Sequence, residues 1–99
     1  MNQPTDEKWI LKLYIAGMTP TARRALANLQ AICEEHLANS YSLEIIDLVE
    51  SPTLEDGEQI FAVPTLVRKL PPPLRKIIGD FSDKEKVLVG LDVKPGSHS

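Results

Sequence analysis

The stretch from Trp9 to Ala16 constrains the fold most, because it is almost continuously apolar and has Lys12 as its one charge. A run of strand-forming residues with this composition suits a strand that is covered on both faces of its sheet. Residues 17–20 (Gly-Met-Thr-Pro) follow as a turn, with Thr19 as a helix N-cap and a proline at the first helical position. We therefore predict a strand that leads directly into a helix.

A long amphipathic helix is the clearest element of the chain. Apolar residues recur at three- and four-residue steps from Ala22 to Leu37, and charged residues lie mostly on the other side. Strand chemistry resumes from Tyr41 to Val49, where apolar and polar residues alternate. These elements predict a βαβ unit with parallel strands and a right-handed crossover. Ser51-Pro52 then predicts a short second helix.

The segment after Pro64 supports two structures. Thr65 to Leu70 suits a strand, but it also belongs to a helical stripe that the prolines 71–73 interrupt. Residues 82–85 (Ser-Asp-Lys-Glu) form a capping box that should begin a helix, whereas residues 87–93 alternate with the period of a strand. Short apolar runs are often ambiguous, and a C-terminal half that packs in two ways would produce the same conflict. Both explanations stay open at this point.

Composition limits the class of protein. With 99 residues, of which 42% are hydrophobic, the chain can bury one modest core, so we predict a single domain over 1–99 with flexible ends at 1–8 and 94–99. A net charge of −3 lacks the basic excess that nucleic acid requires. No apolar run approaches the roughly 20 residues that span a bilayer, and the single Cys33 forms no internal disulfide. We expect a cytoplasmic protein without nucleic-acid or membrane partners.

A redox function is disfavoured by the position of the cysteine. A βαβ opening, a helix and then Val63-Pro64-Thr65 is the plan of thioredoxin-like folds, in which this proline is commonly cis. Outside such a fold, an ordinary trans proline that opens a strand is the commoner alternative. Their Cys-x-x-Cys motif would lie at residues 17–20, which contain no thiol. Cys33 lies further along the apolar face of the helix, where a buried cysteine behaves as a small hydrophobic residue.

Other catalytic or binding chemistry finds no support in the sequence. His36 and His98 are too few and too far apart for a metal cluster. The carboxylates of Glu34-Glu35 and of Asp56 and Glu58 are typical of solvated helix charges, and the glycines are too scattered for a phosphate loop. We predict no catalytic residue, no metal and no cofactor.

The remaining signal is a series of short blocks spread over most of the chain. They are Leu11 to Pro20, Arg24 to Leu26, Ile46-Asp47, Pro64 to Leu66, the Leu-Pro-Pro-Pro block with its Gly-Asp ending from Leu70 to Asp80, and Glu85 to Asp92. Together and in this order they resemble the KaiB family of clock proteins, and the Leu-Pro-Pro-Pro block is the most specific of them.

The resemblance implies an α/β protein with a thioredoxin-like βαβ N-terminal half and a C-terminal half that changes structure. The ground state would be βαββααβ and would assemble as dimers or tetramers, and the thioredoxin-like state would be a βαβαββα monomer. Two such packings must lie within a few kcal/mol of each other. We carry over three fold-switch residues: Pro64, after which the exchange begins, and Gly90 and Asp92, which match family positions whose replacement shifts the balance.

The resemblance also implies a non-enzymatic regulator that binds the first ATPase domain of the KaiC hexamer and modulates its phosphorylation cycle. Lys12, Arg24 and Arg75 match basic positions associated with KaiC binding, although each could be only a solubilising charge. KaiA, or a SasA-like kinase acting by competition, would be further partners.

Three other interpretations stay open. Met18 stands where the family has Asn, and Glu44 stands where a lysine is usual, which fits a paralogue with a stress or signalling role. A KaiB-like sensory domain of a histidine kinase is a second interpretation, but the chain contains no kinase segment. A thioredoxin-like oxidoreductase is the third, and it would need a reactive thiol near Pro64.

Overall fold

The computed structural model describes residues 8–38, 40–51, 60 and 62–93, and its centre is a four-stranded mixed sheet. The elements are β1 (Trp9–Ile15), α1 (Pro20–His36), β2 (Tyr41–Asp47), β3 (Thr65–Leu70), β4 (Arg75–Ile78) and α2 (Lys84–Leu91). The strand order is β2-β1-β3-β4, in which β1 and β2 are parallel and the other neighbours are antiparallel. The apolar first strand therefore lies inside the sheet, between two partners.

The predicted βαβ unit is confirmed, and local hydrogen bonds explain where α1 begins. The Thr19 hydroxyl accepts a hydrogen bond from the Ala22 amide at 3.1 Å, and Pro20 occupies the first turn. Gly17 has a φ of +79°, which a side chain would disfavour. Its amide donates to the Asp47 carboxylate at 2.9 Å. That bond fixes the turn before α1 to the end of β2.

The conflict after Pro64 resolves into a hairpin and a helix. β3 has the predicted bounds and pairs with β4 across the proline turn at 71–73. α2 begins one residue later than the capping box predicts, because the N-cap is Asp83 rather than Ser82; the Asp83 carboxylate accepts from the Lys86 amide at 3.2 Å. The helix predicted after Ser51-Pro52 lies outside the described residues.

The alternating residues 87–93 form a helix here because burial follows a helical spacing. Val87, Leu88 and Leu91 are buried against the sheet, whereas Val89 is 78% exposed. The period of two in the sequence thus does not become a two-sided strand in this structure. Tertiary burial decides between two patterns that the sequence supports equally.

The core lies on both faces of the sheet, as the apolar first strand predicts. On the face that carries the helices, Leu11 and Leu13 pack with buried residues of α1 and α2. On the opposite face, Tyr14 packs with Ile46 and Val67. Both faces of β1 are therefore covered.

Replacement of the α1 N-cap should destabilise the protein. Thr19→Ala removes the acceptor of the Ala22 amide, and we expect the free energy of unfolding to fall by about 1 kcal/mol in urea denaturation. Thr21→Ala is the matched control, because Thr21 is exposed in the first turn and is not the cap. Equal losses in the two variants would contradict the capping role.

Candidate functional site

The position that would hold redox thiols in a thioredoxin-like protein contains none. Pro64 is buried, its bond to Val63 is cis, and it lies beside the start of α1. A cavity of about 100 Å³ between Val63, Thr19 and Thr21 has hydroxyl groups and apolar side chains in its walls, and none of the described residues that line it is ionisable. This corner of the fold has the shape of a binding recess, and its described walls contain no thiol.

The thiol of Cys33 is unsuited to disulfide exchange. It is fully buried in the core on the helix side of the sheet, as its place on the apolar face of α1 predicts. Burial, with a smaller effect of the neighbouring Glu34 carboxylate, raises the pKa of the Cys33 thiol to about 12. The thiolate that attacks disulfides is therefore scarce at neutral pH.

Two of the predicted fold-switch residues lie at the end of α2. A Cβ atom on Gly90 would lie 2.8 Å from Cδ1 and 2.9 Å from Cγ1 of Ile77, so the missing side chain lets α2 approach β4 closely. Asp92 is the C-cap in the left-handed conformation, with a φ of 63°, and its amide donates to Leu88 and Val89. Pro64 lies at the start of β3, so the three residues border the C-terminal half without forming one site.

Arg68 is the residue of this region that sequence reasoning missed. Its side chain is 2% exposed, and its guanidinium donates to the carbonyl of Leu91 and, at 2.7 Å, to the carbonyl of Pro73. The guanidinium also lies 5.4 Å from the ring centroid of Trp9, within the range of a cation–π contact. One side chain thus connects β3 to the end of α2, the proline turn and β1. One sign in the sequence indicates that the side chain faces the core: Arg68 stands two residues after the apolar Leu66, which places both on the same face of a strand.

The predicted partner-binding cations do not form one patch. Arg75 lies opposite Arg68 in the register of β3 and β4, so its exposed side chain is on the helix side of the sheet. Arg24 is exposed on α1, also on the helix side. Lys12 alternates with Leu11 and Leu13, so it lies on the opposite side with Tyr14. The sheet therefore separates Lys12 from the other two.

Arg24 lies beside the turn between β4 and α2. Its guanidinium lies 3.6 Å from the Asp80 carboxylate, and the Asn28 side chain donates to the Asp80 carbonyl at 2.9 Å. Hydrogen bonds from Ser82, with a smaller contribution from Arg24, lower the pKa of the Asp80 carboxyl. The bond from Asn28 thus holds the backbone of the turn against α1, and the exposed Arg24 pair adds little to it.

The described residues offer neither a metal-binding cluster nor a membrane-spanning helix. Within the described part of the chain, His, Cys, Asp and Glu side chains nowhere gather in a group of three that could hold a metal ion. Among residues 8–38, 40–51, 60 and 62–93, neither helix has the length and apolar character needed to cross a bilayer.

This chain is a thioredoxin-like domain without the redox motif. The class follows from the strand order and the cis proline before β3, and the start of α1 has no thiol. A family model described as the KaiB domain matches residues 12–93. The chain belongs to the KaiB family.

Several curated relatives support this membership. The chain is 50% identical over 90 residues to the circadian clock oscillator protein KaiB of Trichodesmium erythraeum, covering 91% of this chain and 86% of that protein. It is 50% identical to KaiB1 of Synechocystis over the same shares of the two chains. It is 49% identical to the circadian clock protein KaiB3 of that organism, covering 87% of this chain and 84% of the relative. These relatives are all named as clock proteins.

Two solved structures show the same fold at low identity. The N-terminal domain of SasA from Synechococcus elongatus superposes with a TM-score of 0.71 at 20% identity, covering 99% of this chain and 96% of that domain. The thioredoxin Deadhead of Drosophila melanogaster superposes with a TM-score of 0.65 at 16% identity, covering 88% of this chain and 81% of that protein. The thioredoxin-like fold predicted from the resemblance is confirmed.

Removal of the Arg68 guanidinium should loosen α2. Arg68→Met deprives the Leu91 and Pro73 carbonyls of their donor, and we expect a loss of about 2 kcal/mol in the free energy of unfolding. Amides of α2 should exchange with deuterium faster than in the parent. Lys69→Met is the control, because that neighbour is only partly buried. Unchanged exchange in α2 of the Arg68 variant would contradict this role.

Gly90 and Ile77 should be energetically coupled. Gly90→Ala adds about 1 kcal/mol of helix preference but brings a Cβ against Ile77, so the single variant should change stability little. Ile77→Ala removes Cδ1 and Cγ1, the two atoms nearest to that Cβ, and the double variant should be about 1 kcal/mol more stable than the sum of the two single effects predicts. Urea denaturation of the four proteins measures this coupling, and additive effects would show that the close contact is not limiting.

Proposed function

We propose that this chain is a non-enzymatic, cytoplasmic clock regulator that binds the KaiC ATPase/kinase hexamer at its first ATPase domain and modulates its phosphorylation cycle. The observation that carries the proposal is the fold: a KaiB-family sequence has the architecture of the N-terminal domain of SasA. Because this chain and the SasA domain share one architecture, they would compete for the same binding site on KaiC. The described arrangement would then be the state that binds.

The local chemistry favours binding over catalysis. The buried Cys33 is held as a thiol, and the described residues that line the recess beside Pro64 are not ionisable. Arg24 and Arg75 are exposed cations on the same side of the sheet. The ion pair of Arg24 with Asp80 is solvated, so exchange of that carboxylate for one on a partner would cost little.

Fold switching has physical support in the weakness of α2. The helix has eight residues, fewer than the roughly 12–15 that an isolated helix needs in water. It is flanked by two residues in the left-handed conformation, Phe81 with a φ of 61° and Asp92 with a φ of 63°. Phe81 is buried, and such a conformation costs of order 1–3 kcal/mol for a bulky residue. A second arrangement without this strain would therefore compete.

The same segment has the pattern of a strand. Residues 87–93 alternate with a period of two, as a strand of the ground state would require. Pro64, Gly90 and Asp92 are the proposed switch residues, and the ground state would be a dimer or tetramer. The apparent affinity for KaiC would then equal the affinity of the described fold multiplied by the fraction of chains that adopt it.

Binding to KaiC should be slow for the parent and faster when α2 is stabilised. Asp92→Arg replaces an unfavourable charge at the C-terminal end of α2 with a favourable one, worth roughly 0.3–1 kcal/mol for each charge. Size-exclusion chromatography of mixtures with a KaiC hexamer and ATP, sampled over hours, measures complex formation. We expect the Asp92 variant to reach its plateau first.

Glu85→Arg is the matched control, because it makes the same change of charge at the N-terminal turn of α2, where an acid is favourable. That variant should bind no faster than the parent. Faster binding by both arginine variants would indicate a general charge effect. Absence of binding by all three proteins would overturn the KaiC assignment.

A further inference from the structure

The turn between β3 and β4 exposes a run of apolar residues. Leu70 and Leu74 are 47% and 45% exposed, and Pro72 and Pro73 between them are also exposed. We call residues 70–74 the hairpin tip. Five consecutive apolar residues at a surface oppose solubility and indicate an interaction site.

The hairpin tip is held in place before any partner arrives. The Pro73 carbonyl accepts a hydrogen bond from buried Arg68 at 2.7 Å, and Leu70 pairs with Ile10 of β1. Three prolines also restrict the backbone of the turn. A surface that is already ordered loses little conformational entropy when it binds, so more of its contact energy appears as affinity.

The charge around the hairpin tip identifies the kind of partner. The chain has a net charge of −3, yet residues 59–79 contain no Asp or Glu and include Arg68, Lys69, Arg75 and Lys76. Arg75 is exposed immediately after the tip. In a two-fold symmetric contact, a second copy of the chain would bring two basic hairpins together, which like-charge repulsion opposes. The complementary surface is an apolar pocket bordered by carboxylates.

A protein fits the hairpin tip better than a phosphate backbone or a bilayer does. Phosphates would engage the cations but leave both leucines in water. The leucines are about half buried, so they offer a shallow apolar surface rather than the broad apolar face that binds a membrane interface. We propose that the hairpin tip docks on an acidic protein partner, with Leu70 and Leu74 in an apolar pocket and Arg75 beside a carboxylate at its rim.

This inference rests on the proposed function, because the KaiC hexamer is the probe. Equilibrium affinity with ATP present is measured for the parent, Leu70→Ser and Leu74→Ser. The control is Val49→Ser, since Val49 is 70% exposed and lies after β2, outside the half that is proposed to change structure. Each tip variant should bind about tenfold more weakly than the parent, and the control should bind within about twofold.

A second measurement separates lost contacts from a changed fold. In the complex of protonated KaiC with the parent chain deuterated except at its methyl groups, saturation of the KaiC protons should weaken the methyl signals of Leu70 and Leu74, because this transfer requires proximity and not a change of fold. The affinity of Arg75→Gln should fall less steeply with added salt than that of the parent. Leu70 and Leu74 methyl signals that keep their intensity when the KaiC protons are saturated would overturn the docking surface.

The outcomes distinguish the two proposals. If the parent fails to bind KaiC, the proposed function and this inference both fall. If the parent and both tip variants bind equally well, only the inference falls. Sedimentation with vesicles of phosphatidylserine and phosphatidylcholine tests a bilayer instead. Loss of vesicle binding in the tip variants, with KaiC binding intact, would assign the hairpin tip to lipid and overturn the protein partner.

Discussion

A buried guanidinium connects the parts of the C-terminal half. Arg68 bonds the last turn of α2 to the proline turn and lies against Trp9 of the central strand. Neither α2 nor the short β4 has enough length to hold its structure alone. Charged groups that donate to buried carbonyls contribute more than neutral ones do. The position of α2 against the sheet therefore depends on this side chain as well as on apolar packing.

The N-terminal half could be predicted because its local signals agree. The apolar run that starts at Trp9, the cap at Thr19 and the spacing of α1 all indicate the same structure, and the bounds of β1 and β2 differ from the prediction only at their ends. After Pro64, residues 87–93 satisfy both helix and strand patterns. Burial of Val87, Leu88 and Leu91 settles that choice here, and such long-range packing is not visible in a short window of sequence.

The candidate site was predictable only in part. The resemblance identified Gly90 as a fold-switch residue, and the close approach of Ile77 to this position gives a physical reason why a side chain there would disturb the packing of α2 on β4. Arg68 was missed because a cation beside Lys69 suggests solvent, and its burial depends on carbonyl groups distant in sequence. The roles of Lys12, Arg24 and Arg75 in binding stay predictions. Their division between two sides of the sheet could not be read without strand pairing.

The hydrogen bond from Gly17 to Asp47 has a thermodynamic consequence. It closes the β1–α1–β2 unit on itself, since both partners lie within residues 9–47. Any rearrangement of the C-terminal half that preserves this unit carries the bond unchanged into the product. Its energy then contributes equally to both forms and cancels from their equilibrium constant. Substitutions that affect only bonds internal to the unit should change how much protein is folded, and substitutions beyond Pro64 should change which form the folded protein takes.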